Sequence, residues 1–89
     1  MKFTWTPAKR TANLKKHGFD FAKAEQVFSG PTFTVEDARE YDGDQRFNST
    51  GFLGTASVTI YHTETEFEIH IISIRKAELH EIETLARYL

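Results

Sequence analysis

The sequence predicts an α+β domain, an antiparallel sheet with two N-terminal helices and one C-terminal helix packed on one of its faces. Three observations carry this reading. Start and stop signals bracket two short helical segments near the N-terminus. Three strand-like runs follow, joined by tight connections. A final segment from Ala77 to Tyr88 carries Leu79, Ile82, Leu85, Ala86 and Leu89 as an apolar stripe at helical spacing.

Met1 to Trp5 reads as a short first strand. Thr6-Pro7 opens a helix, Thr6 as its cap and Pro7 preset for the first helical position. That helix runs to about Lys16 and stops at His17-Gly18, where glycine takes the left-handed conformation. Asp20 caps a second helix whose Phe21, Ala24, Val27 and Phe28 recur on one side, and Ser29-Gly30-Pro31 ends it. Thr32 to Val35 is a second strand, and the acidic stretch from Glu36 to Asp44 a loop. Arg46–Leu53, Thr55–Thr63 and Phe67–Ser73 form a meander, with Phe67, Ile69 and Ile71 facing inward. A two-residue turn at Gly54-Thr55 sets Asn48 beside Tyr61 and Thr50 beside Thr59. A four-residue loop at Thr63–Glu66 pairs His62 with Phe67, Ile60 with Ile69 and Val58 with Ile71, and leaves Thr59 beside His70. The element order is β-α-α-β-β-β-β-α.

Eighty-nine residues suit one domain, 1–89, without a second core. Eight Phe, three Tyr and one Trp give a small core much apolar area to bury. The absence of cysteine excludes disulfides, thiolate metal sites and a cysteine nucleophile. No apolar run approaches the roughly 18 residues of a membrane span, and no secretory signal is read, so a cytoplasmic location is expected. The formal net charge of −2 hides an asymmetry: residues 1–23 hold six basic residues against Asp20 alone, the rest five basic and twelve acidic.

On the first helix Lys9, Arg10, Asn13, Lys16 and His17 fall within an arc of about 120°. Such a face suits a phosphate backbone, with the cations as counter-charges and Asn13 as a donor. The plainer reading is a solvated face whose Lys16 and His17 complement the helix dipole. Among the histidines, His70 lies on the outward strand face and suits general acid or base work, while His62 sits on the inward parity at a strand end. Cleavage of RNA by its own 2′-hydroxyl needs a base, an acid and a cation for the crowded phosphorane. Arg46, Tyr61, His70 and Arg75 supply those types. No HxxxH or HxH spacing supports a metal site, and neither metal nor other cofactor is expected.

Several segments together resemble the BrnT family of bacterial toxins, the ribonuclease halves of toxin–antitoxin pairs with a RelE-like fold. They are Phe3-Thr4-Trp5-Thr6-Pro7-Ala8-Lys9, Asn13-Leu14-Lys15-Lys16-His17-Gly18-Phe19-Asp20-Phe21, Gln45-Arg46-Phe47 leading to Gly51, and His62-Thr63-Glu64 with Ile69-His70-Ile71-Ile72-Ser73-Ile74-Arg75-Lys76-Ala77. The resemblance covers nearly the whole chain in order. It implies metal-independent RNA cleavage that blocks translation, checked by a ribbon-helix-helix antitoxin (BrnA-like) that alone contacts DNA. By position it points to Lys16, His17, Arg46, His62 and Arg75. With the reading of the residues, the expected catalytic set is Arg46, His62, His70 and Arg75, and the RNA-positioning set Lys9, Lys16 and His17. Family members often carry arginine where this chain has Thr65, Glu68 and His70. The acidic run Glu64, Glu66, Glu68 raises a rival reading, a catalytically weakened toxin fold that binds a basic protein partner.

Overall fold

The computed structural model describes residues 1–37, 43 and 45–89. Five strands form one sheet: β1 (Lys2–Thr4), β2 (Phe33–Glu36), β3 (Arg46–Leu53), β4 (Ala56–Glu64) and β5 (Glu68–Lys76), in the order β1-β5-β4-β3-β2. The helices are α1 (Pro7–His17), α2 (Ala24–Ser29), preceded by a single 3-10 turn at Phe21–Lys23, and α3 (Leu79–Arg87). The expected α+β order is present, with one correction: the sheet is mixed. β1 pairs with β5 in parallel, because the chain crosses from one edge of the meander to the other before returning. Most of the loop expected from Glu36 to Asp44 lies outside the described residues.

The helix signals act as read. The Thr6 hydroxyl accepts from the Lys9 amide, and Gly18 ends α1 at φ 80°, its amide donating to the Leu14 carbonyl. The Asp20 carboxylate caps the following turn through the Ala22 amide. One face of the sheet carries Val58, Ile60, Ile69, Ile71 and Ile74, all buried, against Phe21, Ala24 and Val27. Fully burying each aliphatic side chain contributes about 1.5–3 kcal/mol. Gly51 lets α2 approach: a Cβ there would meet Val27 Cγ1 at 2.9 Å and the Pro31 carbonyl at 3.2 Å.

The second face departs from expectation. α3 packs here and not beside α1 and α2. Its Glu81 meets Arg75, its C-terminal Tyr88 stacks on Phe33 at 4.6 Å, and Phe33 is the cross-strand partner of Thr50. Only Leu85 of the expected stripe is buried; Leu79 is 70% exposed and Leu89 68%. A helix that covers part of a polar face needs one apolar anchor, so the remaining stripe is left outside.

The β3–β4 register is as expected, Asn48 beside Tyr61 and Thr50 beside Thr59. The β4–β5 register is not. Glu64 pairs with Ile69 and His62 with Ile71; then the register shifts, and Tyr61 pairs with Ser73 and Thr59 with Arg75. The turn is tighter than a four-residue loop, because Thr65 Oγ1 accepts from the Phe67 and Glu68 amides and Thr65 N donates to the Glu68 carbonyl. Phe67 therefore lies outside the strand, 74% exposed. Ile72 is the extra residue of a bulge, which reverses the side-chain alternation. Arg75 thus joins His70 on the second face despite the odd spacing between them.

β1 covers β5 only from Glu68 to His70. Beyond it, the Asn13 side chain takes the place of a strand. Its Nδ2 donates to the carbonyls of Ile74 (2.9 Å) and Phe19 (3.0 Å), and its Oδ1 accepts from the Ile74 amide (3.1 Å). Asn13→Ala leaves these backbone groups unmet and is expected to lower stability by about 3 kcal/mol. Asn13→Asp, which keeps only the acceptor, should recover none of it. Urea unfolding of both variants checks this; a loss below about 0.5 kcal/mol in the alanine variant contradicts the account.

Candidate functional site

Three hollows on the surface share lining residues. A shallow groove of about 250 Å³ runs between α1 and the β5 bulge, lined by Lys9, Asn13, Lys16, His17, Ile72 and Ser73. Ser73 also borders a polar hollow of about 430 Å³ on the second face, with Asp37, Asn48, Tyr61, Arg75 and Glu78. Asn48, Arg75 and Glu78 in turn border a third hollow, of about 400 Å³, under α3. The three hollows thus adjoin one another, the groove and the polar hollow at Ser73, the polar hollow and the third at Asn48, Arg75 and Glu78.

The cationic face of α1 is narrower than its sequence suggests. Arg10 is turned away to Asp20, donating at 2.7 and 3.0 Å while lying 5.8 Å from the Trp5 ring. The Arg10 guanidinium and the Ala22 amide hold the Asp20 carboxyl down at about 2. Asn13, 7% exposed, serves the β5 edge. Lys9, Lys16 and His17 remain at the groove.

Arg75 is held by α3. Its two terminal nitrogens donate to the two Glu81 carboxylate oxygens at 2.8 and 3.0 Å. Glu81 Oε1 also accepts from the Glu78 amide at 2.8 Å, closing a capping box. Burial pushes the Glu81 carboxyl up, but Arg75, the Glu78 amide and Thr59 outweigh it and keep the group below the usual range. The result is a fixed guanidinium at the junction of two hollows. Tyr61 stands across the strand pair from Ser73. The Arg46 guanidinium lies 5.8 Å from the Tyr61 ring, its Nε buried without a partner among the described residues. Asp37, only 6% exposed, accepts from Asn48 Nδ2 at 3.2 Å.

The two expected histidines lie elsewhere. His62 is buried on the core face, 1% exposed, between Phe28 and Phe47. Its Nε2 meets Ser49 Oγ at 2.7 Å, and Ser49 Oγ meets Thr34 Oγ1 at 2.7 Å. Burial lowers its pKa to about 4, offset only in part by the Thr63 backbone. It is a neutral core histidine shut off from the second face. His70 is on the right face, but its Nδ1 bonds Thr4 Oγ1 at 2.9 Å beside β1. It lies roughly 15 Å along β5 from Arg75 and lines neither hollow that Arg75 borders. Asp37, Ser73, Glu78 and Glu81 escaped the sequence reading. The Glu78-x-x-Glu81 spacing, a carboxylate variant of a helix-start signature, was the available signal for two of them. Among the described residues, no three His, Asp or Glu side chains gather as metal ligands, and no helix is long and apolar enough to cross a membrane.

A groove lined by Lys9, Lys16 and His17 thus adjoins a hollow that holds a fixed arginine, a phenol and carboxylates on a small mixed sheet. The chain belongs to the BrnT family, described as the ribonuclease toxin, BrnT, of type II toxin–antitoxin systems, whose family model matches residues 5–81. It is a ribonuclease toxin of such a system, and the family implies both an RNA substrate and a cognate antitoxin. No curated protein matches the chain.

His62 sets an acid limit on the fold. Its folded pKa, about 4, lies below the ordinary 6.5, so its contribution is full above pH 6.5 and is lost as pH falls towards 4. The loss should reach about 3 kcal/mol. Urea midpoints followed over that window should fall in the wild type and flatten in His62→Gln, whose stability starts lower. An equal pH slope in both proteins would assign the acid sensitivity to another group.

Proposed function

We propose that the chain cleaves RNA in the polar hollow, without a metal, and so blocks translation. RNA would enter along Lys9, Lys16 and His17, with the scissile phosphate beside Arg75. The observation that carries this reading is that the groove and the hollow share Ser73, which sets Lys9, Lys16 and His17 next to the hollow of Arg75.

In-line attack by a ribose 2′-hydroxyl requires its proton to be taken, a proton given to the leaving 5′-oxygen, and the charge of the phosphorane balanced. The guanidinium of Arg75, already oriented by Glu81, supplies the balance. Asp37 and Glu78 are the carboxylates of the hollow and candidates for the base. The phenol of Tyr61, with the Arg46 cation near its ring, is the candidate acid. Arg46 thus acts through Tyr61, and His70 lies outside the chemistry. A ribbon-helix-helix antitoxin (BrnA-like) would cover the groove and the hollow in the cytoplasm, touching DNA on behalf of the pair.

Induced expression of the chain alone should arrest growth and fragment RNA. Arg75→Ala and Tyr61→Phe should each relieve the arrest, whereas His70→Ala should retain it. Removal of Arg75 strands Glu81, so Arg75→Ala/Glu81→Gln serves as the folded control. Arrest that persists in both the Arg75 and Tyr61 variants, with soluble protein, would reject the site. Chelation with EDTA should leave cleavage by the purified protein unchanged.

The groove makes a separate prediction. Lys9→Ala and Lys16→Ala should each weaken RNA binding irrespective of sequence. Each should also flatten the dependence of log affinity on log salt by about 0.7. Titrations between low and moderate salt measure this; an unchanged slope in the double variant would remove the groove from the RNA path.

A further inference from the structure

The hollow under α3 has a different character from its polar neighbour. Its inner wall is Phe33 and Val35 of β2, and its outer wall is Thr84 and His80 of α3. Phe33 is fixed by its stacking on Tyr88, with ring centroids 4.6 Å apart. The ionic groups it presents are mostly negative. Arg75 at its border is paired with Glu81, Glu78 adds a second carboxylate, and His80 Nδ1 lies 3.4 Å from Glu78. The nitrogen of the Asn48 amide donates to Asp37 at its border. A flat, uncharged group with N–H donors meets an apolar wall and acceptors, and the volume of about 400 Å³ lies in the range of small-ligand sites.

We propose that this hollow is a nucleobase subsite. It holds the base of a nucleotide flanking the scissile phosphate, stacked along Phe33 and Val35. The proposal rests on cleavage in the adjoining polar hollow, from which Asn48, Arg75 and Glu78 separate it. A phosphate beside Arg75 places the next base within one nucleotide of the α3 hollow. The ring edge, not the backbone, then turns under the helix. Such splayed, stacked bases are how single-stranded RNA is ordinarily read. Base choice by this toxin would then be made by β2 and α3, and backbone grip by α1.

The test separates binding from catalysis. Short RNA oligonucleotides, made uncleavable by a 2′-deoxy sugar at the scissile position, are prepared with one abasic nucleotide walked along the strand. Their affinities for the intact chain are measured by fluorescence anisotropy. Loss of the base next to the scissile position should weaken binding about tenfold in the wild type. Thr84→Trp and Val35→Trp fill the hollow from opposite walls. In both, the base-bearing and abasic strands should bind alike, with the salt slope unchanged. Equal binding of base-bearing and abasic strands by the wild type would overturn the subsite, as would a full tenfold difference in both tryptophan variants. Because cleavage is not read, a catalytically silent Arg75 reading leaves this comparison intact, and the two claims fail independently.

Discussion

The exchange of hydrogen bonds between the Asn13 amide and the Ile74 backbone sits where three parts of the molecule meet. β1 is too short to cover the edge of β5, and an uncovered strand edge invites pairing with another chain. A single side chain, presenting one donor and one acceptor in the plane of the peptide, closes that edge as a strand residue would. In doing so it clamps α1 to the sheet next to the β5 bulge and, through the Phe19 carbonyl, fixes the turn that leads to α2. Lys9 and Lys16 flank Asn13 on the helix, so the same clamp sets the cationic groove against Ile72 and Ser73.

The bulge is the second half of that arrangement. With an unbroken alternation, Arg75 would fall on the core face with Ile69 and Ile71, where a guanidinium has no place. The extra residue at Ile72 returns Ile74 to the core and turns Ser73 and Arg75 outward beside Tyr61 and Thr59. α3 then responds to Arg75. Its first turn supplies Glu81, which pairs the guanidinium and caps its own helix through one carboxylate. The exposed Leu79, Ile82 and Ala86 of α3 and its single buried Leu85 follow from this: the helix is tied down mainly through an ion pair, one leucine and the Tyr88–Phe33 stack, over a face that stays largely polar.

Local chemistry was legible in the sequence; what depends on one strand slipping past another was not. Thr6-Pro7, Gly18 and Asp20 determine helix ends through groups within four residues, so they could be read directly. The β3–β4 register was equally plain, because Gly54 dictates a two-residue turn. The β4–β5 register failed because Thr65 folds the turn back on itself, and hydroxyl-to-amide bonds leave no mark in an apolar pattern. That error removed Arg75 from Thr59, hid the pairing with Glu81, and set His70 in the wrong row. His62 was ambiguous for another reason. A histidine on the inward parity is core or catalyst according to whether a hydroxyl such as Ser49 reaches it, and only packing decides that.

The positions at which the resemblance leads one to expect arginine also acquire a location. Thr65, Glu68 and His70 cluster at the β4–β5 turn, with Glu64 and Glu66 exposed beside them. The turn lies roughly 15 Å along β5 from Arg75, although Tyr61, at the other side of the hollow, is much nearer to it on β4. Electrostatic repulsion between exposed groups fades over about 8–10 Å at ordinary salt, so carboxylates there act weakly on a phosphate held at Arg75. Their effect falls on strand length. An RNA running from the α1 groove into the polar hollow would meet Lys9, Lys16, His17 and Arg75 as well as the carboxylates of Asp37 and Glu78, whereas one extended towards the turn would meet acids. The charge asymmetry of the sequence, basic in the first 23 residues and acidic after them, therefore becomes polarity along a path. It favours a short stretch of RNA seated at the α1 end, and leaves the acidic turn outside the footprint.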